Sequence, residues 1–154
     1  MPEQVLKGAK NVWTIIRLRG NSAMPTEIKP ISEHVDLLHN AISPRFGSEL
    51  QGINLLDMTD DEVAALKQLG AERGVLVIRD QVMTMAQQAA FAHRLGELTT
   101  YPVKQSGGLP EMLTIHADEN SKHVAGEGGH ADISSEPCPP ALSMLRMEIE
   151  TDDR

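Results

Sequence analysis

Hydrophobic and turn-forming residues alternate over short distances between residues 43 and 55, which predicts a strand or hairpin at the edge of a sheet. A β-branched run over residues 75–78 predicts a strand that is buried on both of its faces. Further short apolar runs predict strands over residues 112–115 and 141–149. The pattern therefore favours a domain rich in β-structure.

Two segments carry the start and stop signals of α-helices. Thr59 is followed three residues later by Glu62, which together form a capping box, and Gly74 is placed to end that helix. Thr84 and Gln87 repeat this arrangement, and a glycine again follows the last apolar residue. The sequence thus predicts two helices on either side of the strand over residues 75–78.

The first residues of the chain lack such a pattern. Residues 1–26 have mixed polarity and weak periodicity, so we expect a disordered N-terminal extension, with Met24 as an alternative start. Residues 27–154 are expected to form one domain, and 154 residues suffice for a single core.

Charge and composition restrict the partners of this domain. A formal net charge of −8 argues against nucleic acid and anionic membrane surfaces, because binding to phosphate needs clustered Lys and Arg. No run of 18 apolar residues occurs, so no membrane span is expected. The single cysteine, Cys138, cannot form an internal disulfide, which favours a cytoplasmic location.

The triplet His130-Ala131-Asp132 carries the most specific chemistry in the chain. Side chains at i and i+2 of a strand lie on the same face, so an imidazole and a carboxylate would lie side by side. Two such ligands and one distant His form the facial triad of non-haem Fe(II) oxygenases. Nearby glycines, including Gly126, leave space beside the metal. On spacing alone the triplet is a weak signal, more typical of a surface His next to a solvated Asp than of a metal site.

Four blocks of the chain together supply the context for this triplet. They are residues 45–55, residues 72–81 ending in Arg79-Asp80-Gln81, residues 87–98 ending in Gly96-Glu97-Leu98, and residues 125–132 with the metal motif. In this order they resemble the taurine catabolism dioxygenase family of Fe(II)- and 2-oxoglutarate-dependent enzymes. The resemblance covers residues 27–149.

This resemblance implies a fold, a cofactor and a reaction. The implied fold is an α+β or mainly β domain, an incomplete double-stranded β-helix (a clavaminate-synthase-like jelly roll) with two flanking helices. The implied metal is Fe(II), held by His130 and Asp132, with 2-oxoglutarate and O2 as co-substrates. The implied reaction hydroxylates a small organic molecule and releases succinate and CO2, and Gly126 is implied to lie near the substrate.

The chain departs from the family pattern at three places. The second metal-binding His and the Arg that pairs with 2-oxoglutarate are expected downstream of Arg154, where this chain has already ended. Gly129 stands where members usually have a Trp. Tyr101 stands where taurine-oxidising members carry a sulfonate-binding His, so Tyr101 is expected to contact a substrate other than taurine.

The apparent truncation leads to an expectation about behaviour and leaves two alternatives open. Half a jelly roll exposes sheet edges and an apolar face, so we expect an inactive chain that is unstable, aggregation-prone or dependent on forming a homo-oligomer. One alternative is a non-catalytic fragment, or pseudoenzyme, that binds a protein partner. The other is a small zinc-binding β-domain that uses His130, Asp132 and either His116 or His123.

Overall fold

The computed structural model describes residues 9–18, 37–100, 109–118, 137 and 139–149. These residues form strands β1 (Ala9–Leu18), β2 (His39–Ala41), β3 (Ser48–Leu50), β4 (Leu76–Ile78), β5 (Met112–Asp118) and β6 (Leu142–Ile149), and helices α1 (Asp60–Arg73) and α2 (Met85–Leu95). A short 3-10 turn, Leu55–Asp57, precedes α1. None of the described helices is long and apolar enough to cross a membrane.

The strand predicted between residues 43 and 55 is confirmed as β3, but its expected place at the edge of a sheet is wrong, because β3 lies between β2 and β4. Its hairpin partner β2 precedes the predicted segment and pairs antiparallel with β3, with Asn40 opposite Glu49. On its other side β3 pairs in parallel with β4, so this first sheet is mixed and has the order β2-β3-β4. Ser48 and Leu50 of β3 are buried at 0% and 4% exposure. One face of the sheet therefore packs against the core, while β2 and β4 form its edges among the described residues.

The prediction that residues 75–78 are buried on both faces is wrong. β4 is an edge strand of its sheet among the described residues, and its three side chains are only half-buried. Leu76 and Ile78 pack against the core, whereas the preceding Val75 is 50% exposed. A short β-branched run is compatible with a strand buried on one face as well as with a strand buried on both, because the neighbouring elements decide which faces are covered.

Both predicted helices are confirmed, with their predicted ends. The Thr59 hydroxyl accepts a hydrogen bond from the Glu62 N–H, and the Glu62 carboxylate accepts one from the Thr59 N–H at 2.6 Å. The bond from the Thr59 N–H, and after it the bond from the Thr59 hydroxyl to the same carboxylate, hold the pKa of the Glu62 carboxyl below its usual value. Gly74 follows α1 with φ of 72°, a left-handed conformation that glycine adopts without strain.

The second helix uses an uncharged version of the same cap. The Thr84 hydroxyl accepts from the Gln87 N–H at 3.2 Å, and the Gln87 amide oxygen accepts from the Thr84 N–H at 2.8 Å. The buried side of α2 consists of Gln88, Ala89, Phe91, Ala92 and Leu95. The core lies where this side meets the apolar side of α1 and the inner faces of the two sheets.

A second sheet contains the long strands and corrects one expectation. β1 lies at its centre and pairs antiparallel with both β5 and β6, in the order β5-β1-β6. The expected disorder of residues 1–26 is therefore wrong for Ala9–Leu18, and the rest of that segment lies outside the described residues. This strand depends on partners far along the chain, since Trp13 pairs with Ile115 and with Met147, 102 and 134 positions away, which local periodicity cannot show.

The described residues thus form a small α+β arrangement of two three-stranded sheets, one of them mixed, with two helices. This confirms the α+β class and the two helices of the sequence prediction. The strands over residues 112–115 and 141–149 are also confirmed, the first extending to Asp118. The boundary between residues 26 and 27 stays a prediction.

Candidate functional site

The predicted metal ligands belong to the connection between β5 and β6. His130 and Asp132 lie outside the described residues, as do Tyr101, Gly126 and His123. The structure does place both flanking strands, since β5 ends at Asp118 and β6 begins at Leu142. The geometry of these strands fixes where the connection must begin and end.

β5 and β6 run in the same direction on either side of β1, because each pairs antiparallel with it. Asp118 is paired with Ala9 at one end of β1, and Leu142 is paired with Leu18 at the other. These two ends therefore lie about 30 Å apart along the sheet, which corresponds to nine strand steps. In the sequence, His130 and Asp132 lie between them.

The inner face of this sheet packs against α2. Leu18 and Met112 are 0% and 2% exposed. Arg146 of β6 donates from Nε to the Gln88 side-chain oxygen of α2 at 3.0 Å, and Gln88 is fully buried. A buried amide oxygen needs a hydrogen-bond donor, and the Arg146 guanidinium supplies it to Gln88. This bond connects β6 to α2.

The opposite, outer face of the sheet is apolar and more open. It is defined here by Leu113 and Ile115 of β5, which are half-buried, and by Leu145 and Met147 of β6, which are 51% and 42% exposed. Leu113 and Leu145 both pair with Ile15, whereas Ile115 and Met147 both pair with Trp13. These residues therefore form two rows across one surface of the sheet. A bound apolar molecule, or a second layer of protein packed on this surface, would exclude water from it.

The block that ends in Arg79-Asp80-Gln81 acts as a structural clamp. The Gln81 amide nitrogen donates to the C=O of Ile53 at 2.7 Å and of Arg79 at 2.8 Å, and its oxygen accepts from the Leu55 N–H at 2.9 Å. The bonds that involve Ile53 and Leu55 bring the end of β4 to the 3-10 turn, whereas the bond to Arg79 is local. Two of the blocks that carry the family resemblance thus contact each other directly.

Arg79 joins the end of β4 to the neighbouring strand. Its Nε lies 2.6 Å from Oε1 of Glu49 on β3. The next residue, Asp80, adopts a left-handed backbone with φ of 58°, which turns the chain after β4. Asn54 caps the 3-10 turn by accepting a hydrogen bond from the Leu56 N–H.

Arg73, the last residue of α1, organises the β2–β3 turn. Its Nε donates to the buried Ser48 hydroxyl at 2.9 Å, and its Nη2 donates to the C=O groups of Ser43 at 2.7 Å and Gly47 at 2.9 Å. In return the Gly47 N–H donates to the Arg73 C=O at 2.7 Å. Sequence reasoning missed Arg73, Gln81, Gln88 and Arg146. For Gln88 there was a signal, since it occupies a position on the apolar side of α2.

The remaining histidines do not complete a site among the described residues. His93 is exposed on α2, as predicted for a surface residue. His116 belongs to β5, whose backbone alone is described at that position. No three His, Cys, Asp or Glu side chains converge within the described part of the chain. The roles of His130, Asp132, Tyr101 and Gly126 stay predictions.

Comparison with known proteins tests the family. Residues 28–152 match the model of the family described as "Taurine catabolism dioxygenase TauD, TfdA family". The chain is 31% identical over 108 residues to an (S)-phenoxypropionate/alpha-ketoglutarate-dioxygenase of Sphingobium herbicidovorans, which covers 68% of this chain and 38% of the relative. It is 26% identical over 123 residues to the alpha-ketoglutarate-dependent dioxygenase cnsM of Penicillium expansum, covering 69% of this chain and 33% of that relative.

The chain thus spans between a third and two fifths of the length of these relatives. The family match, in contrast, extends over most of the chain and includes all four blocks that the sequence analysis singled out. The chain therefore belongs to the taurine catabolism dioxygenase TauD, TfdA family.

Proposed function

We propose that this chain is the N-terminal portion of an Fe(II)- and 2-oxoglutarate-dependent dioxygenase of the cytoplasm that hydroxylates a small organic molecule. The observation that carries the proposal is the family match over residues 28–152, a range that includes His130-Ala131-Asp132. Both relatives are named as alpha-ketoglutarate-dependent dioxygenases.

The donor set of the motif suits Fe(II). A neutral imidazole nitrogen and a carboxylate oxygen are two of the three protein ligands of a facial iron triad. His130 and Asp132 would hold the metal, and the third ligand and the Arg partner of 2-oxoglutarate would come from a complementary portion of the domain. When bound, iron and 2-oxoglutarate supply the oxidising chemistry that side chains lack.

The described residues contribute support and water exclusion to such a site. The Arg146–Gln88 bond fixes β6 against α2, and the buried Met112 fixes β5 against the same helix. The apolar outer face, with Leu145 and Met147, would form one wall of a cavity closed by further strands, as in a jelly roll. Excluding water in this way strengthens the electrostatic interactions inside a site and protects reactive species.

A substrate other than taurine fits the sequence best. Tyr101 replaces the sulfonate-binding His, and a neutral phenol attracts an anion less strongly than an imidazolium. The Sphingobium relative is named for (S)-phenoxypropionate, an organic acid that carries an aromatic ring. We therefore place the substrate among small organic acids with an apolar part that the outer face could cover.

Anaerobic equilibrium dialysis of Fe(II) against the purified chain tests the ligand assignment. One weak site per chain is expected, which tightens when 2-oxoglutarate is added because the co-substrate chelates the same ion. His130→Ala and Asp132→Ala should each abolish this binding, whereas the matched control His93→Ala, on the exposed side of α2, should leave it unchanged. Equal Fe(II) binding by all four proteins would refute the assignment.

A further inference from the structure

The outer edge of β2 presents backbone groups of known direction that have no partner among the described residues. The Ile42 N–H donates to Gly47 C=O at 3.0 Å and the Gln51 N–H donates to Leu38 C=O at 3.1 Å, so residues 38 and 42 bond to β3. Alternate residues of an antiparallel strand bond to the same neighbour. The N–H and C=O groups of His39 and Ala41 therefore point away from β3, toward an edge that no other described strand covers.

The side chains along this edge are apolar and exposed. Leu38 is 68% exposed and Ile42 is 56% exposed, and both lie on the same face as Asn40, which is also exposed. Residues 38–42 carry no carboxylate, ammonium or guanidinium group in a chain of net charge −8. The nearby carboxylate of Glu49 is paired with Arg79 at 2.6 Å. Such a neutral, uncovered edge is a template for strand pairing.

We propose that a second copy of this chain pairs with β2 in antiparallel fashion, about a two-fold axis that passes through Asn40. In this register His39 lies opposite Ala41 of the second copy, and the outward N–H and C=O groups of the two residues form four hydrogen bonds across the axis. Two three-stranded sheets then join into one sheet of six strands, in which β2 is no longer an edge.

The same register matches the side chains of the two copies. Leu38 lies opposite Ile42 of the second copy, and the symmetry makes this apolar pair twice. Because residues 38 and 42 direct their hydrogen bonds to β3, they form non-hydrogen-bonded pairs across the new ladder, where the Cα atoms approach to about 4.5 Å. Apolar cross-strand pairs stabilise antiparallel sheets most at such short separations.

Electrostatics favours a second copy at this edge over a contact elsewhere. Two chains of net charge −8 repel each other, and a neutral strip is where they meet at the lowest cost. The interface is short and belongs to the small, transient size class, so a monomer–dimer equilibrium that depends on concentration is expected.

Site-directed crosslinking tests the register directly in the full chain. In a Cys138→Ser background, Asn40→Cys places two thiols opposite each other on the axis, within the Cα separation that a disulfide spans. Under oxidising, non-reducing conditions a dimer that reductant reverses is expected. The matched control is Leu38→Cys, equally exposed, whose two copies would lie about 13 Å apart along the strands and should not crosslink. Absence of the Asn40→Cys dimer, or equal crosslinking by Leu38→Cys, would overturn the proposal.

Sedimentation velocity with charge variants tests the surface without a crosslink. The wild type should approach twice the chain mass of 16.8 kDa as its concentration rises. Leu38→Glu/Ile42→Glu places carboxylates opposite each other and should give monomer only, while Leu38→Lys/Ile42→Glu should restore a dimer that added salt weakens. Val82→Glu, at a residue that is 92% exposed, should behave as wild type. A wild type that is monomeric at every concentration, or a double-Glu variant that still dimerises, contradicts the inference.

Discussion

Replacing Gln81 by alanine is expected to destabilise the fold far from any predicted metal ligand. The amide of Gln81 makes three hydrogen bonds of 2.7 to 2.9 Å, and the two that are partly buried join the end of β4 to the 3-10 turn. At about 1 kcal/mol for each partly buried bond and about 0.5 for the exposed one, the loss is roughly 2–3 kcal/mol.

That loss is measurable against the total stability of a domain. Globular domains unfold at a cost of about 5–15 kcal/mol, and for a chain of this length 1 kcal/mol corresponds to about 2–4 °C in Tm. Urea unfolding followed by circular dichroism should therefore show an unchanged slope and a lower midpoint for Gln81→Ala.

The matched control is Gln51→Ala, which truncates an exposed glutamine in the same region. Its free energy of unfolding should stay within about 0.5 kcal/mol of the wild type. Gln81→Glu keeps the acceptor but loses both donated bonds and brings a carboxylate toward two carbonyl oxygens, so it should destabilise at least as much as alanine at neutral pH. If Gln81→Ala costs less than about 0.5 kcal/mol, the clamp is not a stabilising element.

Three further outcomes are expected. The pKa of Glu62 is lower in the folded state than in the unfolded state. Its carboxylate therefore stabilises the fold at pH values above the unfolded-state pKa, and this stabilisation is lost as the pH falls through the folded-state pKa. The difference in free energy of unfolding between wild type and Glu62→Gln, measured by urea unfolding, should therefore shrink on acidification. Conversely, Gln87→Glu should give α2 a similar pH dependence, and an unchanged pH profile would contradict this. Arg146→Ala should cost about 1–3 kcal/mol because the buried Gln88 loses a donor, and Gln88→Leu/Arg146→Met should recover most of it in a double-mutant cycle.

Local signals allowed the sequence to predict the helices fully. Thr59 with Glu62, and Thr84 with Gln87, are capping pairs within four residues of each other, and their geometry depends on little else. The position of Gly74 likewise follows from a backbone conformation that favours glycine. These elements could be read from the chain because their causes are adjacent in sequence.

Contacts between distant residues account for what the sequence did not show. β1 is a strand because β5 and β6 lie beside it: Trp13 pairs with Ile115, 102 residues away, and with Met147, 134 residues away. Arg79 pairs with Glu49, 30 residues earlier. Arg146 reaches Gln88 across 58 residues. Only the tertiary arrangement decides such partners, so composition and periodicity cannot.

The metal motif was found by another route. Spacing alone made His130-Ala131-Asp132 an ambiguous triplet, and its meaning came from its order relative to three other blocks. In the structure two of those blocks contact each other through Gln81, whereas the motif lies outside the described residues, between β5 and β6 in the sequence.

Succinate formation by a completed domain tests the central claim most directly. Residues 1–149 would be joined to the portion of the Sphingobium relative that follows its matched segment, and the purified chimera supplied with Fe(II), 2-oxoglutarate, O2 and (S)-phenoxypropionate. Succinate should form with the chimera, and not with the chain alone or with chimeras carrying His130→Ala or Asp132→Ala, while His93→Ala keeps full activity. A folded chimera that makes no succinate, or one whose succinate is unaffected by both ligand substitutions, would contradict the assignment of this chain as part of an iron dioxygenase.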